Sequence, residues 1–98
     1  MPQRMGRYRI EVAPAAERDL RALRRRIGGK DFERICAAID QLAEDPRPPG
    51  VRKIEGTKQA YRVRVGAYRI VYEIYDREGF VLLLRVSRRW EGTYRQLS

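Results

Sequence analysis

Ninety-eight residues suffice for one core but not two, and a hydrophobic content of 43% in periodic segments argues for a folded chain. The balance of 22 Lys and Arg against 13 Asp and Glu gives a net charge of +9, which points to a polyanion or an acidic protein as partner. A single cysteine excludes an internal disulfide framework, the lack of His all but excludes a zinc site of the usual kind, and no apolar run approaches a membrane span.

The first element in chain order is a strand at Tyr8–Val12, with Tyr8, Ile10 and Val12 on one face. Ala13-Pro14 then opens a helix carrying Ala16, Leu20, Leu23 and Ile27 at helical spacing, and Gly28-Gly29 is expected to stop it in the left-handed conformation. Asp31 is the expected N-cap of a second helix, whose apolar stripe is Phe32, Ile35, Cys36, Ile39, Leu42 and Ala43 and which ends near Asp45, ahead of Pro46. Cys36 belongs to that stripe and reads as a core thiol. Together the two helices make a hairpin whose apolar face needs a sheet.

Val51–Ile54 reads as a short strand followed by a turn at Glu55-Gly56. From Tyr61 the chain alternates apolar and polar residues to Val65, breaks at Gly66-Ala67, and resumes to Ile74. With Gly66-Ala67 as a two-residue loop, Val65 faces Tyr68, Arg64 faces Arg69, Val63 faces Ile70 and Arg62 faces Val71. Asp76–Gly79 is a polar turn. Phe80–Val86 is nearly all apolar and is expected to be central and covered on both faces. Taken literally, the four-residue turn pairs Arg69 with Val86, and one bulge would reverse the faces beyond it. The expected fold is α+β: an N-terminal strand and a helical hairpin packed on a four- to five-stranded, antiparallel-rich twisted sheet, in one domain spanning residues 1–98.

The hairpin gathers Arg62, Arg64 and Arg69 on one face, with Arg64 directly opposite Arg69. Like charges so placed destabilise a sheet, so the arrangement suits a site for an anion. No acidic residue lies between Glu55 and Glu73 to neutralise the cluster. Arg85, Arg88 and Arg89 follow near the end of the last strand, with Trp90 and Tyr94 beyond them. Arginines interleaved with aromatics suit RNA, whose unstacked bases lie on such planes. Arg18, Arg21, Arg24, Arg25 and Arg26 cover much of the first helix, where Glu17 and Arg21 form an ordinary i,i+4 pair.

Tyr61–Ile74, Arg-Lys-Ile-Glu-Gly at 52–56, Leu-Arg-Val-Ser-Arg-Arg at 84–89 and Tyr94-Arg95 together resemble the RelE/ParE toxin superfamily, and its RelE branch more closely. The resemblance covers nearly the whole chain. It implies a cytoplasmic toxin of a type II toxin–antitoxin system, a ribosome-dependent endoribonuclease that cleaves mRNA by 2′-oxygen attack without metal or cofactor. It further implies a complex with an acidic antitoxin protein, through which alone operator DNA would be bound, and no contact with membranes.

By position, Arg62 and Arg64 match the family's basic pair, Arg69 the arginine at the scissile phosphate, Arg89 a later arginine, and Tyr94 a C-terminal tyrosine proposed as general base. Arg69, Arg89, Tyr94 and Arg64 are thus the catalytic candidates, and Arg62, Arg64, Arg85, Arg88 and Trp90 the RNA-binding ones. Many relatives have His-Arg where this chain has Arg88-Arg89. The alternative reading is a non-enzymatic DNA gyrase inhibitor of the ParE kind, and a plain nucleic-acid-binding module is the third.

Overall fold

A computed structural model describes residues 7–88. Their elements are β1 (Arg9–Val12), α1 (Pro14–Arg26), α2 (Gly29–Glu44), β2 (Arg52–Lys53), β3 (Ala60–Val65), β4 (Tyr68–Tyr75) and β5 (Phe80–Arg88). The strands form one sheet in the order β1-β5-β4-β3-β2, with β1 parallel to β5 and the other neighbours antiparallel. The α+β architecture is therefore as expected from the sequence.

Both helices cover one face. Ala16 and Leu23 of α1 and Ile35, Ile39 and Leu42 of α2 pack on Tyr68, Ile70, Tyr72 and Ile74 of β4 and on Val81, Leu83 and Val86 of β5. Alternation along the strands selects these residues for the core. A smaller apolar cluster lies on the opposite face: Ile54, Ala60 and Val71, with Leu84 against them. Ile54 reaches that face because the segment after β2 folds back, with the Ile54 amide donating to the Ala60 carbonyl and the Thr57 hydroxyl to the Ile54 carbonyl at 2.7 Å.

Three local expectations are corrected. Gly28 and Gly29 do not form a left-handed stop: α1 ends at an extended Ile27, and an equally extended Gly28 is the N-cap of α2. The two helices thus abut with almost no loop. Asp31 consequently lies within the first turn of α2 rather than capping it, where its charge still suits the positive end of the helix. β5 is not the central strand; β4 is, and it carries the longest buried run, Tyr68–Tyr72. In β5, Leu82 and Leu84 are only half-buried on the outer side.

The fourth correction concerns register. Tyr75 pairs with Phe80 and Tyr72 with Leu83, but Val71 pairs with Arg85 and Arg69 with Ser87 rather than Val86. Leu84 is the extra residue of a β-bulge. The bulge explains the burial in β5: Val81 and Leu83 are buried before it, and Val86 after it. Strict alternation would have aimed Arg85 and Ser87 at the core instead.

At the far end of the sheet, the segment after α2 is clamped down. Arg47 donates to both carboxylate oxygens of Asp76, at 2.9 and 3.3 Å, and stacks 5.2 Å above the Tyr61 ring. The Tyr8 hydroxyl donates to Asp76 at 2.7 Å, and the buried Tyr72 hydroxyl to the Pro46 carbonyl at 2.7 Å. Among the described residues, no helix is long and apolar enough to cross a membrane.

Candidate functional site

The β3–β4 hairpin adopts the register read from the sequence, pair by pair from Val65↔Tyr68 to Arg62↔Val71. Gly66 has φ of +59° and, among the described residues, no non-Gly residue has positive φ, the pattern of a type II′ turn with Gly at its first position. The turn therefore fixes which side chains share a face. Arg62 and Arg64 of β3 stand on the helix-free side with Arg69 of β4.

The three differ in exposure. Arg64 is exposed, Arg62 half-buried, and Arg69 only 4% exposed. Burial of Arg69 departs from the solvated face that alternation suggests. A guanidinium stays charged in such a setting, so Arg69 is a fixed positive centre directly across from Arg64, acting in a medium less polarisable than water. Ser87 is its neighbour on β5 because of the bulge.

A fourth arginine joins them. Arg52 of β2 pairs directly with Arg62, so that two arginine–arginine oppositions, Arg52↔Arg62 and Arg64↔Arg69, lie side by side. The sequence reading placed Arg52 in a family motif but assigned it no role. Its signal was the spacing to a short edge strand whose partner could not be read. Elsewhere basic side chains meet acids: Arg9 with Glu11, Arg21 with Glu17, Arg34 with Asp31, Arg47 with Asp76 and Arg85 with Asp19. Among the described residues, Arg52, Arg62 and Arg64 take part in no ion pair.

Arg85 and Arg88 are not part of this cluster. Arg85 reaches Asp19 of α1, with Nε 2.8 Å and Nη2 3.2 Å from its two carboxylate oxygens, and Asp19 also accepts from the Val86 amide at 2.8 Å. This is a clamp between helix and sheet. Arg88 pairs with Tyr68 and sits 5.8 Å above that ring, on the helix-covered side. Arg89, Trp90 and Tyr94 lie outside the described residues.

Three of the described tyrosines hold their protons more tightly than usual. Burial pushes the Tyr72 phenol up, while hydrogen bonds to Asp76 and Glu73 do the same for Tyr8 and Tyr75. Each shift disfavours the phenolate.

The comparisons follow the same lines. The family model for the ParE toxin of type II toxin–antitoxin systems, parDE, matches residues 10–91. A Methanocaldococcus jannaschii protein named as a candidate RelE1 toxin is 24% identical over 92 residues, spanning 91% of this chain and 97% of its own. Among solved structures, the archaeal RelE–RelB complex from Pyrococcus horikoshii contains a chain 25% identical, with a TM-score of 0.71 over 85% of this chain and 96% of that one. A mutant of the E. coli toxin RelE in the free state shares the fold at 21% identity, with a TM-score of 0.70 and 95% of each chain covered.

Proposed function

The chain belongs to the ParE toxin family of type II toxin–antitoxin systems, and from that premise we propose that it is a ribosome-dependent mRNA endoribonuclease of the RelE kind. The observation that carries this reading is the double arginine opposition, Arg52↔Arg62 beside Arg64↔Arg69, on the sheet face that the helices leave open. A fold gains no stability from such a cluster, whereas a phosphodiester backbone would draw it together.

In this reading the ribose 2′-hydroxyl of the message attacks the adjacent phosphorus. Tyr94 accepts its proton, the 5′-oxygen leaves and takes up a proton, and a 2′,3′-cyclic phosphate remains. Charge gathers on the pentacovalent phosphate. Arg69 and Arg64, partners across the two strands, meet it, and Arg89 adds a further cation; such preorganised charge is the largest catalytic contribution available without a metal. Arg62 and Trp90 hold the flanking RNA, and Arg88, on the helix-covered side over Tyr68, is reached only by RNA that wraps past the end of the sheet. Arg85 joins them only to the extent that Asp19 shares it. The partner that silences the toxin is an acidic antitoxin in a cytoplasmic complex, as the RelB chain accompanies RelE in the Pyrococcus horikoshii complex. Operator DNA is reached through that complex alone.

The test is to map mRNA 5′ ends on purified translating ribosomes. Cuts should appear in coding frames, with little cleavage of free RNA. Arg69→Ala and Tyr94→Phe should each slow cleavage by roughly 10²–10³-fold while the far-UV spectrum is unchanged. Intact messages would sink the reading. The family model's own description as a ParE toxin supports the second reading, a gyrase inhibitor without catalysis. It predicts inhibition of DNA supercoiling in place of mRNA cuts.

A further inference from the structure

The ribonuclease reading gives the Arg64–Arg69 pair a phosphate and leaves the neighbouring pair without one. Arg52 lies on a two-residue edge strand, exposed and directly opposite Arg62. The chain before it, turning through Gly50 at φ +87°, opens a groove of about 260 Å³ lined by Pro49, Gly50, Arg52, Arg62, Val63 and Arg64. Among the described residues, no acid lines this groove. The nearby cations Arg47 and Lys53 are engaged elsewhere, by Asp76 and by the Thr57 carbonyl at 2.6 Å. Arg62 and Arg64 are two residues apart on one face of β3, a step of ~6.6 Å. That step is close to the backbone repeat of an extended single strand whose phosphates follow a basic groove.

We propose that Arg52 and Arg62 form a second phosphate subsite, which grips the RNA phosphodiester next to the scissile one and so sets the register of the message on the sheet. The subsite rests on the ribonuclease reading. Two guanidiniums facing each other across strands can fork onto one phosphate from both sides. The repulsion between them is relieved only when the anion is present.

The test uses the purified full-length protein and ribosomes programmed with a message carrying a 2′-deoxy sugar at the attacking position, so that binding is read without cleavage. In parallel messages, an uncharged methylphosphonate replaces either the phosphate before or the phosphate after the scissile one. Arg52→Ala should weaken binding about tenfold on the unsubstituted message, and lower the slope of log affinity against log salt by about 0.7. With the methylphosphonate at one of the two neighbours, the same substitution should have no further effect. Its melting temperature should equal or exceed that of the parent, because a like-charge opposition is gone. A loss of equal size on all messages, or no loss on any, would overturn the subsite. Cleavage of the all-ribose message by the parent protein reports separately on the ribonuclease reading. Cleavage without phosphate-specific coupling removes the subsite alone, coupling without cleavage removes the catalysis alone, and no binding removes both.

Discussion

Asp76 is a single carboxylate that ties three segments together, through Arg47, Tyr8 and its own turn between β4 and β5. The hydrogen bonds from Arg47, and then from Tyr8, hold its pKa below the ordinary carboxylate range. A depressed folded pKa contributes stability that is complete above the unfolded value, near ~3.9, and disappears as pH falls through the lower folded value. We therefore expect Asp76→Asn to be less stable than the parent at about pH 6 and the difference to shrink toward about pH 3. Thermal melts of both proteins across that range check it, and a gap that stays constant with pH would count against the ion pair as its source. Asp76 was legible in the sequence only as a turn residue, because its partners lie 29 and 68 positions away. The ion pair of Arg85 was hidden for the same reason. Its arginine suggested RNA, while the acid that holds it stands 66 positions earlier on α1.

At the scale of elements, the hairpin was fully readable and the strand that follows was not. A Gly at the first position of a two-residue turn specifies the register by itself, and alternation does the rest. For β5, the apolar run Phe80–Leu84 hid the bulge, although the polar Arg85 and Ser87 already broke the alternation set by Val81 and Leu83. The parallel pairing of β1 with β5 and the folding of Ile54 onto the outer face depend on contacts between distant segments. Local sequence carries no mark of them. The bulge has a consequence for chain length. Deleting Leu84 should leave Val81, Leu83 and Val86 all facing the core and Ser87 opposite Arg69, at the loss of about 1–2 kcal/mol from the Ile54 cluster. Deleting Leu82 should be far more damaging, since it shifts Phe80 and Val81 against both neighbouring strands. Denaturant unfolding of the two deletions decides the matter: equal losses would mean that the bulge does not absorb length.

For the molecule as a whole, the surplus of nine positive charges is less informative than its distribution. Among the described residues, acids meet arginines on the helices, in the turns and on β1 and β5, whereas Arg52, Arg62 and Arg64 on the open sheet face take part in no ion pair. We expect a polyanion such as heparin to raise the melting temperature, with a stabilisation of about 2.7 kcal/mol at a hundredfold excess over its dissociation constant. The increment should fall with added salt, and should fall by a similar measure in Arg62→Ala. No rise at low salt would contradict the picture. Arginine facing arginine across β2 and β3, Arg52 against Arg62, also couples folding to ligand occupancy. The bare protein is then its own most fragile form, and whichever anion it holds, message or partner, acts as its stabiliser. A copy stripped of both would open more often, and would be the first to be met by a protease.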